Sequence, residues 1–121
     1  MAELIHRVRG VCLELPEVSE RVSHGQPAFF VRGKRTLAMF RPEQLPPALW
    51  LPCEVEARRY WVELRPDEFY VPPYMGALGW VGMHLTTTTD WSLVQRVVDD
   101  AYCRVAPKKL VALHRAHSGR D

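Results

Sequence analysis

Residues 28–41, AFFVRGKRTLAMFR, constrain the fold of this chain more than any other stretch. Two apolar runs flank a glycine that can open a tight turn, a pattern that predicts a β-hairpin. With Gly33 and Lys34 at the corners the turn is type II′, which sets Arg32 opposite Arg35, Val31 opposite Thr36 and Phe30 opposite Leu37. Both faces below the tip are then largely apolar, so the hairpin belongs inside a covered sheet rather than alone in water.

The cover is legible at residues 90–105, DWSLVQRVVDDAYCRV. Leu93, Val94, Val97, Val98, Ala101, Tyr102 and Val105 form one wide apolar stripe at helical spacing, and Asp90 is placed to cap the helix N-terminus. Residues 3–15 repeat the pattern with Leu4, Ile5, Val8, Cys12 and Leu15, ending at Pro16. Residues 53–65 give another helix, with Glu54 and Glu56 early and Arg58, Arg59 and Arg65 late, the order the helix dipole favours. Between the first helix and the hairpin, LPEVSERVSHGQP reads as a polar connection.

Three further short strands fall at 48–51, 69–71 and 80–85. Their order predicts an α+β two-layer sandwich, α-β-β-β-α-β-β-α, with a five-stranded antiparallel sheet and helices on one face. A single domain over residues 1–110 is expected, followed by a basic C-terminal tail, 111–121, that starts as a short helix and frays. At 121 residues the core needs neither metal nor disulfide. The three cysteines, Cys12, Cys53 and Cys103, are widely spaced and form no CxxC pair, the usage of reduced core residues. With no leader-like N-terminus and no apolar run of membrane-spanning length, a cytoplasmic protein without membrane association is expected.

Charge narrows the function. The formal net charge is only +2, and five of the 16 basic side chains lie beyond residue 103: Arg104, Lys108, Lys109, Arg115 and Arg120. The rest of the chain is net acidic, so any attraction for nucleic acid must be local. The hairpin tip supplies one locus, where Arg32, Lys34 and Arg35 make a compact cationic knuckle suited to phosphates. Lys108 and Lys109 are a second source of phosphate contacts. Solvated charges at a turn, guarding the sheet against edge association, are the competing account.

The segment FYVPPYMGALGWVGMHL, residues 69–85, carries two prolines that end a strand, Gly76 and Gly79 that reverse the chain, and Gly82, which within the next strand marks a bulge or close helix approach. Its role is chiefly architectural, although Tyr74 and Trp80, with His24 from SHGQP, could wall a small-molecule or partner site. No catalytic constellation is present: Ser23 and His24 are chain neighbours without a third group, and MGALGWVG does not match a dinucleotide fingerprint. His114 and His117 lack further ligands for zinc, so no metal or cofactor is expected.

The succession SHGQPAFFVRGK, FYVPPYMGALGWVG and DWSLVQRVVDDAYCRVAPKKL resembles the MmcQ/YjbR family of small bacterial proteins, over about residues 4–110. That resemblance implies a two-layer fold similar to secretion chaperones, no defining enzyme activity or cofactor, and DNA binding through a double wing. The wing would map onto Arg32, Lys34 and Arg35, with double-stranded DNA as partner. A protein-binding adaptor is the alternative that the chaperone-like fold suggests.

Overall fold

The β2–β3 hairpin forms where the sequence expects it, but in a different register. In the computed structural model, which describes residues 2–73 and 79–118, β2 spans Gln26–Val31 and β3 spans Arg35–Arg41. Val31 pairs with Arg35 and Phe30 with Thr36, and a bulge at Phe29/Phe30 restores Ala28 opposite Met39. The turn is centred on Arg32 (φ 53°) and Gly33 (φ 66°), with the Lys34 N–H donating to the Val31 carbonyl at 3.0 Å. Two consecutive positive φ values mark a type I′ turn rather than type II′, so Arg32 and Arg35 are not paired across the strands. What the sequence pattern omitted was an anchor strong enough to hold an arginine left-handed. Glu17 provides it, accepting the Arg32 backbone N–H at 2.9 Å and its side chain at 3.0 Å.

The sheet has six strands rather than five. The extra one, β1 (Val18–Ser23), lies within the stretch read as a polar connection and pairs with β2 along its full length. An edge strand has a ladder on one side only, and its solvent-facing residues can be polar throughout. VSERVS therefore lacks the apolar signature of an interior strand. Also present are β4 (Ala48–Pro52), β5 (Phe69–Tyr70) and β6 (Trp80–His84), and the antiparallel order across the sheet is β1-β2-β3-β4-β6-β5.

Among the described residues four helices, α1 (Ala2–Cys12), α2 (Val55–Leu64), α3 (Trp91–Val105) and α4 (Lys108–Ser118), accompany the sheet. The Asp90 carboxylate accepts the Ser92 N–H at 2.9 Å, the N-cap expected for α3, and all seven residues of its apolar stripe are buried. The stripe packs with Val8 and Cys12 of α1 against Phe29, Val31, Phe40, Leu49, Leu51, Val81 and Met83 of the sheet. α2 joins this layer through Trp61, which stacks on Phe69 with ring centroids 5.1 Å apart. All these sheet residues share one face, so among the described residues the helices cover one side and leave the other open. Among the described residues, no helix is long and apolar enough to cross a membrane.

The C-terminal segment is helical as far as Ser118 and packed onto the domain. Leu110 is buried in the common core, and His114 hydrogen-bonds Asp99 of α3 while meeting the Tyr102 ring edge-on. Residue 110 thus falls inside α4, not at the beginning of a free tail.

Candidate nucleic-acid interface

The β2–β3 turn exposes Arg32, Lys34 and Arg35, but their charges are not equivalent. Arg32 faces Glu17 in a two-pronged ion pair, at 3.0 and 3.4 Å, so its charge is largely met and its role is to fix the turn. Among the described residues Lys34 and Arg35 form no ion pair. A third cation joins them from β1: Arg21 donates to the Gly33 carbonyl at 3.0 Å, and its guanidinium lies 3.7 Å above the centre of the Phe30 ring. The usable knuckle is therefore Arg21, Lys34 and Arg35. Sequence reasoning missed Arg21 because its strand was missed; the alternation of Ser19, Arg21 and Ser23 was the available signal.

The lysines of α4 stand at the same end of the molecule. Pairing of Val18 with Val31 sets Pro16 and Glu17 beside the turn. The Tyr102 hydroxyl, near the C-terminus of α3, donates to the Pro16 carbonyl at 2.8 Å. α4 begins at Lys108, three residues after α3 ends, so Lys108 and Lys109 emerge exposed on this side. The two basic loci read separately in the sequence are brought to one end by the β1 pairing and the Tyr102 contact.

The small-molecule pocket of His24, Tyr74 and Trp80 is not assembled. His24 is exposed in the β1–β2 turn, with φ 55° and its ring Nδ1 3.1 Å from Ser23 Oγ. Trp80 opens β6, opposite Pro52, and three strands lie between β1 and β6. At about 4.8 Å per strand that is a separation of roughly 19 Å, too far for one small ligand. Tyr74 lies outside the described residues. His24 is in a left-handed position next to Gly25, which makes it a turn residue of its own hairpin.

A cavity of about 490 Å³ does occur between α2, α3 and α4, lined by Cys53, Trp61, Asp100, Cys103, Arg104 and Arg115 among others. Burial raises both thiols above their ordinary value and also raises the Asp100 carboxyl, so neither cysteine is an activated nucleophile. Cys12, deep in the core, is pushed up to about 12 by burial and then by the nearby Glu20 charge. No group of three or more His, Cys, Asp or Glu side chains suited to a metal ion is found among the described residues.

On the open face of the sheet, one row of facing residues crosses all six strands: Arg21, Ala28, Met39, Trp50, Gly82 and Tyr70. The next row places Arg41, Ala48 and His84 side by side. Arg41 lies 4.6 Å above the Trp50 ring, the Trp50 indole donates to the Tyr70 hydroxyl at 2.7 Å, and Tyr70 stacks on His84 with centroids 4.5 Å apart. The Tyr70 ring occupies the space that a side chain at position 82 would fill.

Comparison with known proteins agrees with this architecture. The YjbR family model matches residues 13–104. Deinococcus radiodurans protein DR2400, whose crystal structure carries the family domain DUF419, is similar in fold with a TM-score of 0.74 and 22% identity, covering 95% of this chain and 87% of that one. No match was found among curated proteins.

Proposed function

The chain belongs to the YjbR family, and from that premise we propose that it is a non-enzymatic DNA-binding protein that grips duplex phosphates with its hairpin tip. Lys34, Arg35 and Arg21 supply the first contacts, and Lys108 and Lys109 extend them along the same end. The observation that carries this reading is the gathering of these cations at one end, with the three at the tip free of carboxylate partners among the described residues. Arg32 contributes geometry rather than charge, because Glu17 already neutralises it. A hairpin tip of this kind positions a protein on a backbone without reading bases, so sequence preference is weak.

The test is fluorescence anisotropy with a labelled duplex across a salt series. Neutralising about five phosphates, one for each of these cations, gives a log–log slope of about −4.5. Lys34→Ala/Arg35→Ala should flatten that slope by about 2, at roughly 0.9 for each phosphate no longer neutralised. Arg32→Gln should act through the turn conformation and change the slope little. Affinity that does not vary with salt, or no binding at low salt, rejects the reading. The second reading, a protein-binding adaptor, rests on one side of α2, where Tyr60 and Leu64, a turn apart, are exposed apolar residues. Retained partner binding by a Tyr60→Ser/Leu64→Ser variant would reject it.

A further inference from the structure

The open face of the sheet has a charge pattern that the tip does not explain. Glu20 is the one acidic residue in the six strands, and it turns to the helical side, where Arg9 of α1 binds its two oxygens at 2.8 and 2.9 Å. No strand residue of the open face is therefore acidic, while Arg21, Arg41 and His84 all lie on it. Glu43, in the β3–β4 loop, meets one end of the Arg41 guanidinium at 2.6 Å, and Arg41 Nε and His84 Nδ1 remain buried without partners.

The same face carries the rings. Phe30 and Trp50 lie beneath the guanidiniums of Arg21 and Arg41, whose carbon atoms stand 3.7 and 4.6 Å from the ring centres, so each arginine is held over a ring. Tyr70, Trp80 and His84 are partly exposed. Flat guanidiniums and aromatic rings both stack on unpaired bases, and the fixed positive charges suit the phosphates that connect them. A duplex keeps its bases stacked on one another, so their flat faces are closed to a row of rings, whereas an unpaired strand exposes them.

We propose that the open face of the sheet is a platform for single-stranded nucleic acid, with Arg21 and Arg41 stacking on bases and contacting phosphates while Tyr70, Trp80 and His84 supply further stacking surface. The site is separate from the duplex reading of the tip and does not depend on it. Arg21 stands where the two surfaces meet, since its guanidinium also holds the Gly33 carbonyl of the turn. Binding displaces the Glu43 carboxylate from Arg41 in favour of phosphate.

A fluorescein-labelled oligothymidylate of about a dozen nucleotides matches the usual footprint of such platforms. Wild-type protein should bind it, and Arg21→Gln/Arg41→Gln should weaken binding by about ten-fold or more, the loss expected for one or two stacked bases. Lys34→Ala/Arg35→Ala should stay within about two-fold of wild type on the single strand while losing affinity for duplex. An abasic oligomer of the same length, tested on the wild-type protein, should bind about ten-fold more weakly, which needs no variant to fold. Equal binding of abasic and oligothymidylate strands, or loss of single-strand binding in the tip variant alone, overturns the platform. Absence of duplex binding alongside retained single-strand binding rejects the tip reading and leaves the platform standing.

Discussion

Gly82 shows how a single residue ties neighbouring strands together. Its backbone belongs to β6, and a Cβ there would meet the Tyr70 ring closer than real side chains approach. Gly82→Ala must displace Tyr70, which breaks its hydrogen bond to Trp50 and its stack on His84. A destabilisation of about 1–3 kcal/mol is expected from this overpacking, measured by denaturant unfolding. In the double variant with Tyr70→Ala the penalty of the added methyl should largely vanish, because the two substitutions share one space. Full additivity would show that the alanine is rejected for another reason. In the sequence, Gly82 marks a place of bulge or close helix approach. The approach is real, but it comes from a neighbouring strand's ring on the side away from the helices. Arg32 is the converse case: nothing local marks it as left-handed, and it is held by Glu17, fifteen residues earlier.

Among the elements, β1 was the least legible and the most consequential. VSERVS carries a two-residue alternation, but its exposed side is polar and its neighbours are turn formers, so local reading favours a loop. Pairing with β2 and one ion pair to α1 decide otherwise. Arg9 holds the Glu20 carboxyl below its ordinary value of 4.5, chiefly through the two hydrogen bonds. A group depressed in the native state stabilises the fold above its unfolded pKa, and loses that contribution as pH falls through the native value. The Tm of wild type should therefore exceed that of Glu20→Gln most at neutral pH, and the difference should close as pH falls below 4.5 and through the depressed native value. A gap that persists unchanged at acid pH would assign the effect to packing instead. The helices were more legible, because an apolar stripe with its cap is written within sixteen consecutive residues. The boundaries moved inward at the C-terminus of α1 and at both ends of α2, where Leu13 and Glu54 fall outside the helices.

For the molecule as one body, the question is where the cooperative unit ends. Leu110 is buried and the His114–Asp99 contact clamps the following turn of α4 onto α3. Leu110→Ala should cost about 2–4 kcal/mol, with one unfolding transition by both far-UV and tryptophan signals. Separate transitions would make α4 an appendage, as the basic-tail expectation for residues 111–121 held.

Local pattern was enough for the class: alternating and helical periodicities are properties of short windows, and they specify an antiparallel sheet layered with helices and the family resemblance. It was also enough to mark Lys34, Arg35, Lys108 and Lys109 as exposed charges, because charge at a turn or helix start is visible in one dimension. Long-range packing was needed to settle which cations share an end, that Arg32 is neutralised by Glu17, and that His24 and Trp80 lie apart. It alone set Arg21, Arg41, Trp50 and Tyr70 on one face. Those relations depend on strand order and on which side of the sheet the helices take. Both follow from burial between residues distant in the chain, a quantity that no short window of sequence contains.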